Sequence, residues 1–406
     1  GHDRRDGAMT EKLYEGNSFL KECDATVTAC ESAPDGYAIV LDRTVFFPEG
    51  GGQLSDTGTL DGAAVTDVQE RNGEIIHHCQ AAFPVGAKIK AVVNWQARLD
   101  HMQQHCGEHL LSYAFWKLFG ANNVGFHMSD RLVTIDLDRE VTWEQAMQAE
   151  DFANGQVWDD RPITVCYKPH TEVATIPMRK KNEKITGLLR LVSIEGGDIC
   201  TCCGTHPAAT GTVGLIKVAR LEKHKGGTRV EFLCGRWALE DARRKMEWIQ
   251  AAGHHLSTSE DKVLDAIGKM EGEIASLKEQ LRTKIGELQE GEVRVLVANA
   301  PVNQAGSKVL VAVEDGYDPK SAKAMLGKLT AIPGSVAGVV YHSGDRVNYL
   351  FGLGEGGQGD CKAAVQKANE LFRGKGGGKP SSAQGGGTYS PDWQEKAEAL
   401  KRFLRQ

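Results

Sequence analysis

The chain has 406 residues, a formal net charge of −6 and 41% hydrophobic side chains, which is too long for one ordinary domain and apolar enough for two to four packed cores. The acidic balance excludes a generic nucleic-acid or membrane binder, so any nucleic-acid contact has to come from local patches. No apolar run approaches the 18 or so residues of a membrane span. Ten cysteines without a disulfide framework, and no signal peptide read at the start, fit a reducing compartment, so a cytoplasmic protein is expected.

Residues 1–8 are polar and read as an expression remnant ahead of Met9. Residues 9–94 are strand-like, with short runs such as Tyr37-Ala38-Ile39-Val40-Leu41 and Ile89-Lys90-Ala91-Val92-Val93 punctuated by Gly, Asp and Asn, and predict a small β-barrel domain. Inside it, Thr44 leads into Gly50-Gly51-Gly52-Gln53. Three consecutive glycines read either as a tight turn or as backbone that passes very close to a ligand.

Residues 95–240 change to a mixed α+β pattern. His105 and His109 lie four apart in a helix with the apolar run Leu110, Leu111, Ala114, Phe115, Leu118 and Phe119, so both imidazoles can reach one metal ion. About a hundred residues on, Cys200-Thr201-Cys202-Cys203-Gly204-Thr205-His206 offers Cys202 and His206, and Cys and His residues from two separated segments are a zinc signature. His101, a turn before His105, is a spare imidazole, and Cys200 and Cys203 are competing thiols. Thr142 and Gln145 are spaced as a capping box for a second helix. Strands are expected at Leu132–Leu137, Leu191–Ile194 and Arg229–Leu233. The cationic run Arg179, Lys180, Lys181, Lys184 and Arg190 reads either as a solvated face or as a phosphate contact beside the metal cleft.

Residues 241–290 predict a helical linker. Val263, Ile267, Met270, Ile274, Leu277, Leu281 and Leu288 form a coiled-coil seam weakened by Gly268, Gly272 and Gly286, so it needs a partner, either another chain or its own returning helix. Residues 291–406 read as an α/β domain. Its strands are expected at Val293–Ala298, Val309–Val313, Gly338–Tyr341 and Tyr349–Gly352, and its helices at Pro319–Leu329, Cys361–Phe372 and Pro391–Gln406. The glycine-rich run 374–387 reads as a flexible linker or as a loop that brings Arg373, Lys375, Lys379 and backbone amides to phosphates. The fold class expected is therefore α+β multidomain, from barrel to zinc-binding domain to coiled-coil linker to C-terminal α/β domain.

The Gly-Gly-Gly-Gln turn at 50–53, the His-x3-His at His105 and His109, and the Cys-x3-His at Cys202 and His206 together resemble the editing domain of alanyl-tRNA synthetase and its free-standing relatives, the alanyl-tRNA editing proteins. The segments beyond about Arg236 resemble the synthetase's C-terminal domain, so the chain looks like the long free-standing form. It departs from the family's usual Cys-Gly-Gly-Thr-His in carrying Cys203. The resemblance implies a zinc-dependent deacylase that hydrolyses the ester joining serine, or glycine, to tRNA(Ala). It implies zinc held by His105, His109, Cys202 and His206, with Gln53, Gly51 and Gly52 at the reacting centre and Thr44 facing the amino-acid side chain. Zinc generates hydroxide in one reading, and in the other grips the substrate while Gln53 or the terminal ribose orients the water. The tRNA body is expected to meet Arg179, Lys180, Lys181, Arg373, Lys375 and Lys379, in a homodimer formed through the linker or the C-terminal domain. The alternative is a non-catalytic tRNA-binding module with a structural zinc.

Overall fold

The computed structural model describes residues 9–179 and 186–406, and they separate into two compact units, 1–251 and 252–406. In the first unit, six antiparallel strands close into a barrel in the order Glu22–Ala33, Gly36–Leu41, Glu74–Cys79, Ala63–Arg71, Gly58–Leu60, Lys88–Val93. Alternation fills its interior with Val27, Ile39, Leu41, Leu60, Val68 and Ile75, as closure of a small barrel requires. Phe46 packs there too, edge-on to His77 with ring centroids 5.3 Å apart.

Beyond the barrel, helices Trp95–Phe119 and Trp143–Trp158 pack on an antiparallel sheet ordered Ile216–His224, Gly227–Cys234, Leu132–Leu137, Asn123–Ser129. The second helix starts with the capping box read from Thr142 and Gln145, both reciprocal bonds being present. A further antiparallel sheet, Ile163–Pro169, Leu188–Ile194 and Ile199–Thr201, carries the cysteine loop at its end. Arg98 joins barrel to helix. It is fully buried, donating to Asp56, to Ser18 O at 2.9 Å and to Val45 O, so the first turn of the histidine helix is fixed on the barrel by a paired charge.

Helix Gly235–His255 ends in a turn at 256–258, closed by Ser257 N on His254 O at 3.2 Å and Thr258 N on Gly253 O at 2.9 Å. Helix Val263–Ala298 spans 36 residues and passes through Gly268, Gly272, Gly286 and Gly291. It also takes in Val293–Ala298, which was expected to be a strand. The β-branched residues there remain helical because Val293, Leu296 and Val297 seat the last turns on the apolar cluster of Leu310, Ala312 and Met325, and tertiary packing outweighs local propensity. Of the predicted seam only Val263 is buried, while Ile267, Met270, Ile274, Leu277, Leu281 and Leu288 are exposed.

The second unit is a three-layer α/β arrangement. Its sheet is ordered Lys308–Asp315, Ser335–Ser343, Arg346–Leu353, Ser382–Thr388, Lys375–Lys379, with the first pair parallel and the rest antiparallel. Helix Pro319–Thr330 covers one face, and Cys361–Phe372 with Trp393–Leu404 covers the other. The glycine-rich run is neither linker nor loop but the hairpin at the edge of this sheet. Gly385 lies where a Cβ would meet the Tyr349 ring at 2.6 Å, and at Gly387 it would meet Phe372. Gly385 therefore lets the Tyr349 ring, and Gly387 the Phe372 main chain and Cβ, close on the hairpin backbone.

Candidate metal centre

The site is built on helix Trp95–Phe119. Asn94 caps its start by accepting from Ala97 N, and Gly120 ends it in the left-handed region, where glycine carries no Cβ penalty. His105 and His109 fall on one buried face, with ring centroids 5.0 Å apart and Nε2 atoms 3.1 Å apart. Cys202 Sγ lies 3.1 Å from His105 Nε2 and 3.4 Å from His206 Nε2. One ligand atom from each of the four lies within 4.8 Å of the others. A tetrahedral ion with nitrogens at about 2.05 Å and a sulfur at about 2.3 Å gives N–N and N–S edges of roughly 3.3 and 3.5 Å. The observed separations match that figure, so the donor set fits a zinc-sized ion.

The electrostatics of Cys202 and His206 agree. Burial opposes ionisation of Cys202, but the surrounding imidazoles of His105, His109 and His206 hold its thiol well below the ordinary range. Burial pushes His206 down to about 4, favouring the neutral imidazole that a metal needs. The Cys200 and Cys203 thiols are both pushed up, chiefly by burial. His105 Nδ1 and His206 Nδ1 are buried without partners among the described residues. His101, the spare imidazole, packs edge-on to Trp237 at 5.9 Å and is not part of the cluster.

A second layer orients the first. His109 Nδ1 faces Cys200 Sγ at 3.0 Å and Asp198 Oδ2 at 3.4 Å. Asp198 is in turn held by Arg179 at 3.0 and 3.2 Å, both side chains being almost fully buried. Burial opposes the Asp198 charge, yet His109 and Arg179 hold its pKa at about 2. This is a carboxylate–histidine pair of the kind that fixes a metal ligand's ring. Cys200 thus belongs to the layer behind His109, whereas Cys202 faces the three imidazoles. Arg179 is committed to Asp198 and is not free for phosphate. Arg190 is also buried and donates to Cys202 O at 3.0 Å and Gly204 O at 2.7 Å, shaping the cysteine loop. Lys180, Lys181 and Lys184 lie outside the described residues.

The glycine turn meets this loop. Gln53 is fully buried, donating to Thr205 Oγ1 at 2.7 Å and accepting from Thr205 N at 3.1 Å. Gly204 sits against both His105 and Gln53, where a Cβ would lie 2.8 Å from His105 Nδ1 and 2.9 Å from Gln53 Oε1. Gly52 backs onto Phe126 in the same way. A cavity of about 410 Å³ opens over the donor set, its walls including Gly51, Glu108, Phe126, Tyr167, Leu189 and Cys203. Thr44 and Gln53 are not among the residues that line it. The Thr44 hydroxyl is bonded to His77 Nε2 at 2.8 Å and accepts from Phe46 N at 3.0 Å. His77 Nδ1 faces Ile39 O at 2.9 Å, and because a carbonyl only accepts, Nδ1 carries the proton and Thr44 donates its own to Nε2. Arg373, Lys375 and Lys379 are exposed on and beside the edge hairpin of the second unit.

The sequence reading missed Asp198, Glu108 and Thr205. Glu108 had a legible signal, since Ser112 one turn on and Asn123 both hold its Oε1. Asp198 had none, because only the turn between two strands brings it behind His109.

Comparison with known proteins agrees with the motifs. Residues 9–97 match the family described as tRNA synthetases class II (A), residues 189–231 the Threonyl and Alanyl tRNA synthetase second additional domain, and residues 306–406 the DHHA1 domain. The chain is 28% identical to the alanyl-tRNA editing protein AlaX-L of Pyrococcus horikoshii, over 93% of this chain and 94% of that protein. It is 30% identical to the alanyl-tRNA editing protein Aarsd1 of Rattus norvegicus, over 64% of this chain and 67% of that protein. Against an alanine–tRNA ligase of Thermofilum pendens the identity is 32% over 93% of this chain, which spans only 42% of the ligase. From its paired histidines, its Cys-x3-His loop and a likeness that extends over nearly the whole of one editing protein, the chain belongs to the family of alanyl-tRNA editing proteins.

Proposed function

We propose that this protein is a trans-editing hydrolase that deacylates tRNA(Ala) carrying serine, and glycine by the same route, with zinc held by His105, His109, Cys202 and His206. The observation that carries the reading is the convergence of three imidazoles and one low-pKa thiol beneath a cavity of nucleoside size. Zinc bound there supplies Lewis acidity and a fixed point for the substrate.

The chain's own residues do the rest. Asp198 and Arg179 fix the His109 ring, and Arg190 with Gln53 holds the loop that presents Cys202 and His206. Gly51 contributes main chain to the cavity wall, the kind of donor a developing oxyanion needs. Gln53 and Gly52 act on the reaction by positioning the two sides of the site. Serine is larger than alanine, so selection has to come from a polar group that alanine leaves unpaired, worth about 1–3 kcal/mol. Thr44 takes that role only by exchanging His77 for the substrate hydroxyl. Thr44→Val should then narrow the preference for seryl over alanyl esters, and an unchanged ratio of the two rates would return Thr44 to the barrel core.

We assign the tRNA body to the second unit, where Arg373, Lys375 and Lys379 are exposed, and a homodimer to the exposed stripe of helix Val263–Ala298. Deacylation of seryl-tRNA(Ala) by purified protein tests the function. Tight tRNA binding with no ester cleavage at any metal loading would favour a binding module with a structural metal.

A further inference from the structure

Glu108 stands between the cavity and the donor set without a task in the scheme above. Its side chain is 8% exposed. Oε1 is tied back by Ser112 Oγ at 3.0 Å and Asn123 Nδ2 at 2.7 Å, which fixes the carboxylate plane. Oε2 lies 3.6 Å from His109 Nε2, and the residue lines the cavity. The nearby cations are engaged elsewhere: Arg179 holds Asp198, Arg190 holds the Cys202 and Gly204 carbonyls, and His109 Nε2 belongs to the donor set. A carboxylate on a cavity wall, with one oxygen locked and the other 3.6 Å from a ring nitrogen that belongs to the donor set, has room for a cation or strong donor.

We propose that Glu108 Oε2 is the anchor for the α-ammonium of the aminoacyl group, which rests on the ester-hydrolase reading above. Every aminoacyl ester carries this ammonium on the atom next to its carbonyl carbon, only about 2.5 Å away through two bonds. A carboxylate oxygen set one contact beyond the ligand atoms therefore grips the nitrogen while the carbonyl is turned toward them. The anchor also sets a class of substrate. An acyl group whose nitrogen is blocked or missing covers the carboxylate without giving Oε2 a cation, so free aminoacyl esters are cleaved and N-acylated ones, the chemistry of a peptide-bearing tRNA, are spared.

The test uses the full-length protein and three adenosine esters: seryl, N-acetylseryl with the amine blocked, and glyceroyl, which matches seryl in size but has hydroxyl in place of the amine. The wild-type protein should favour seryl over the other two by about ten-fold or more in kcat/KM. In Glu108→Gln this preference should collapse by a similar factor, chiefly through KM, with metal content retained. Glu108→Asp, which keeps the charge, should recover part of it. A wild-type protein that cleaves all three esters alike overturns the anchor whatever the variants do. So does a Glu108→Gln protein with its preference intact, and so does loss of metal in that variant, which would make Glu108 a ligand. Failure to cleave any ester would instead remove the proposed function, and the anchor with it.

Discussion

Replacing Gln53 with leucine shortens the side chain by one atom and deletes both of its bonds to Thr205. The two residues are 0% and 1% exposed, so water does not substitute. Thr205 is left with an orphaned N–H and a hydroxyl that has lost its donor. At about 1–3 kcal/mol for each unsatisfied buried group, with the hydroxyl partly able to reorient, the loss is roughly 2–4 kcal/mol. For a unit of some 250 residues this lowers the melting temperature by roughly 4–8 °C. Thr205 sits between Cys202 and His206, so the same change should loosen the ligand loop and weaken metal binding by about 10–100-fold, as loss of an outer partner does elsewhere. Thermal denaturation followed by tryptophan fluorescence, and competition with a colorimetric chelator, measure the two effects. If both were unchanged while ester hydrolysis collapsed, the clamp argument would be wrong and Gln53 would touch the reacting atoms.

Cys202→Ala should abolish tight metal binding, whereas Cys203→Ala should leave it intact, because only Cys202 faces the three imidazoles; elemental analysis of both proteins decides this. Arg98→Met strands the Asp56 carboxylate in a fully buried site and should cost about 3–5 kcal/mol in urea unfolding, part of it recovered by adding Asp56→Asn. His77 is held neutral by burial, its pKa lowered to about 4. Between its unfolded value of about 6.5 and that figure, the unfolded chain takes up a proton that the folded chain refuses, so stability should fall as pH drops across this window and level off below it. A His77→Gln protein whose acid limb between pH 6.5 and 4 matched the wild type would contradict this.

The clustering of the four His and Cys side chains was legible because it is written in local spacing: one helical turn for His105 and His109, and one tight loop for Cys202 and His206. The mixed α+β character and most element positions were legible from periodicity, including the capping box at Thr142. The edge hairpin was not, since a run of glycines carries no side-chain pattern, and its strands are held by main-chain pairing with Arg346–Leu353 and with each other. Val293–Ala298 misled because β-branched residues end a helix there under tertiary packing. Gln53 and Arg179 were visible as polar residues near the site. Their partners, Thr205 and Asp198, are fixed by long-range geometry that spacing does not encode.

The separation of the two ligand pairs has a consequence during synthesis. Barrel and histidine helix are encoded by contiguous sequence up to Phe119, but Cys202 follows His109 by some ninety residues. At roughly 5–20 residues per second on the ribosome, the helix waits about 5–20 s for the thiolate. During that interval the nascent chain has only two imidazoles to offer, too few for a tight site. On the proposed zinc reading, metal capture is therefore timed to the emergence of the Cys202 loop, and a chain stalled before that point should be released without metal.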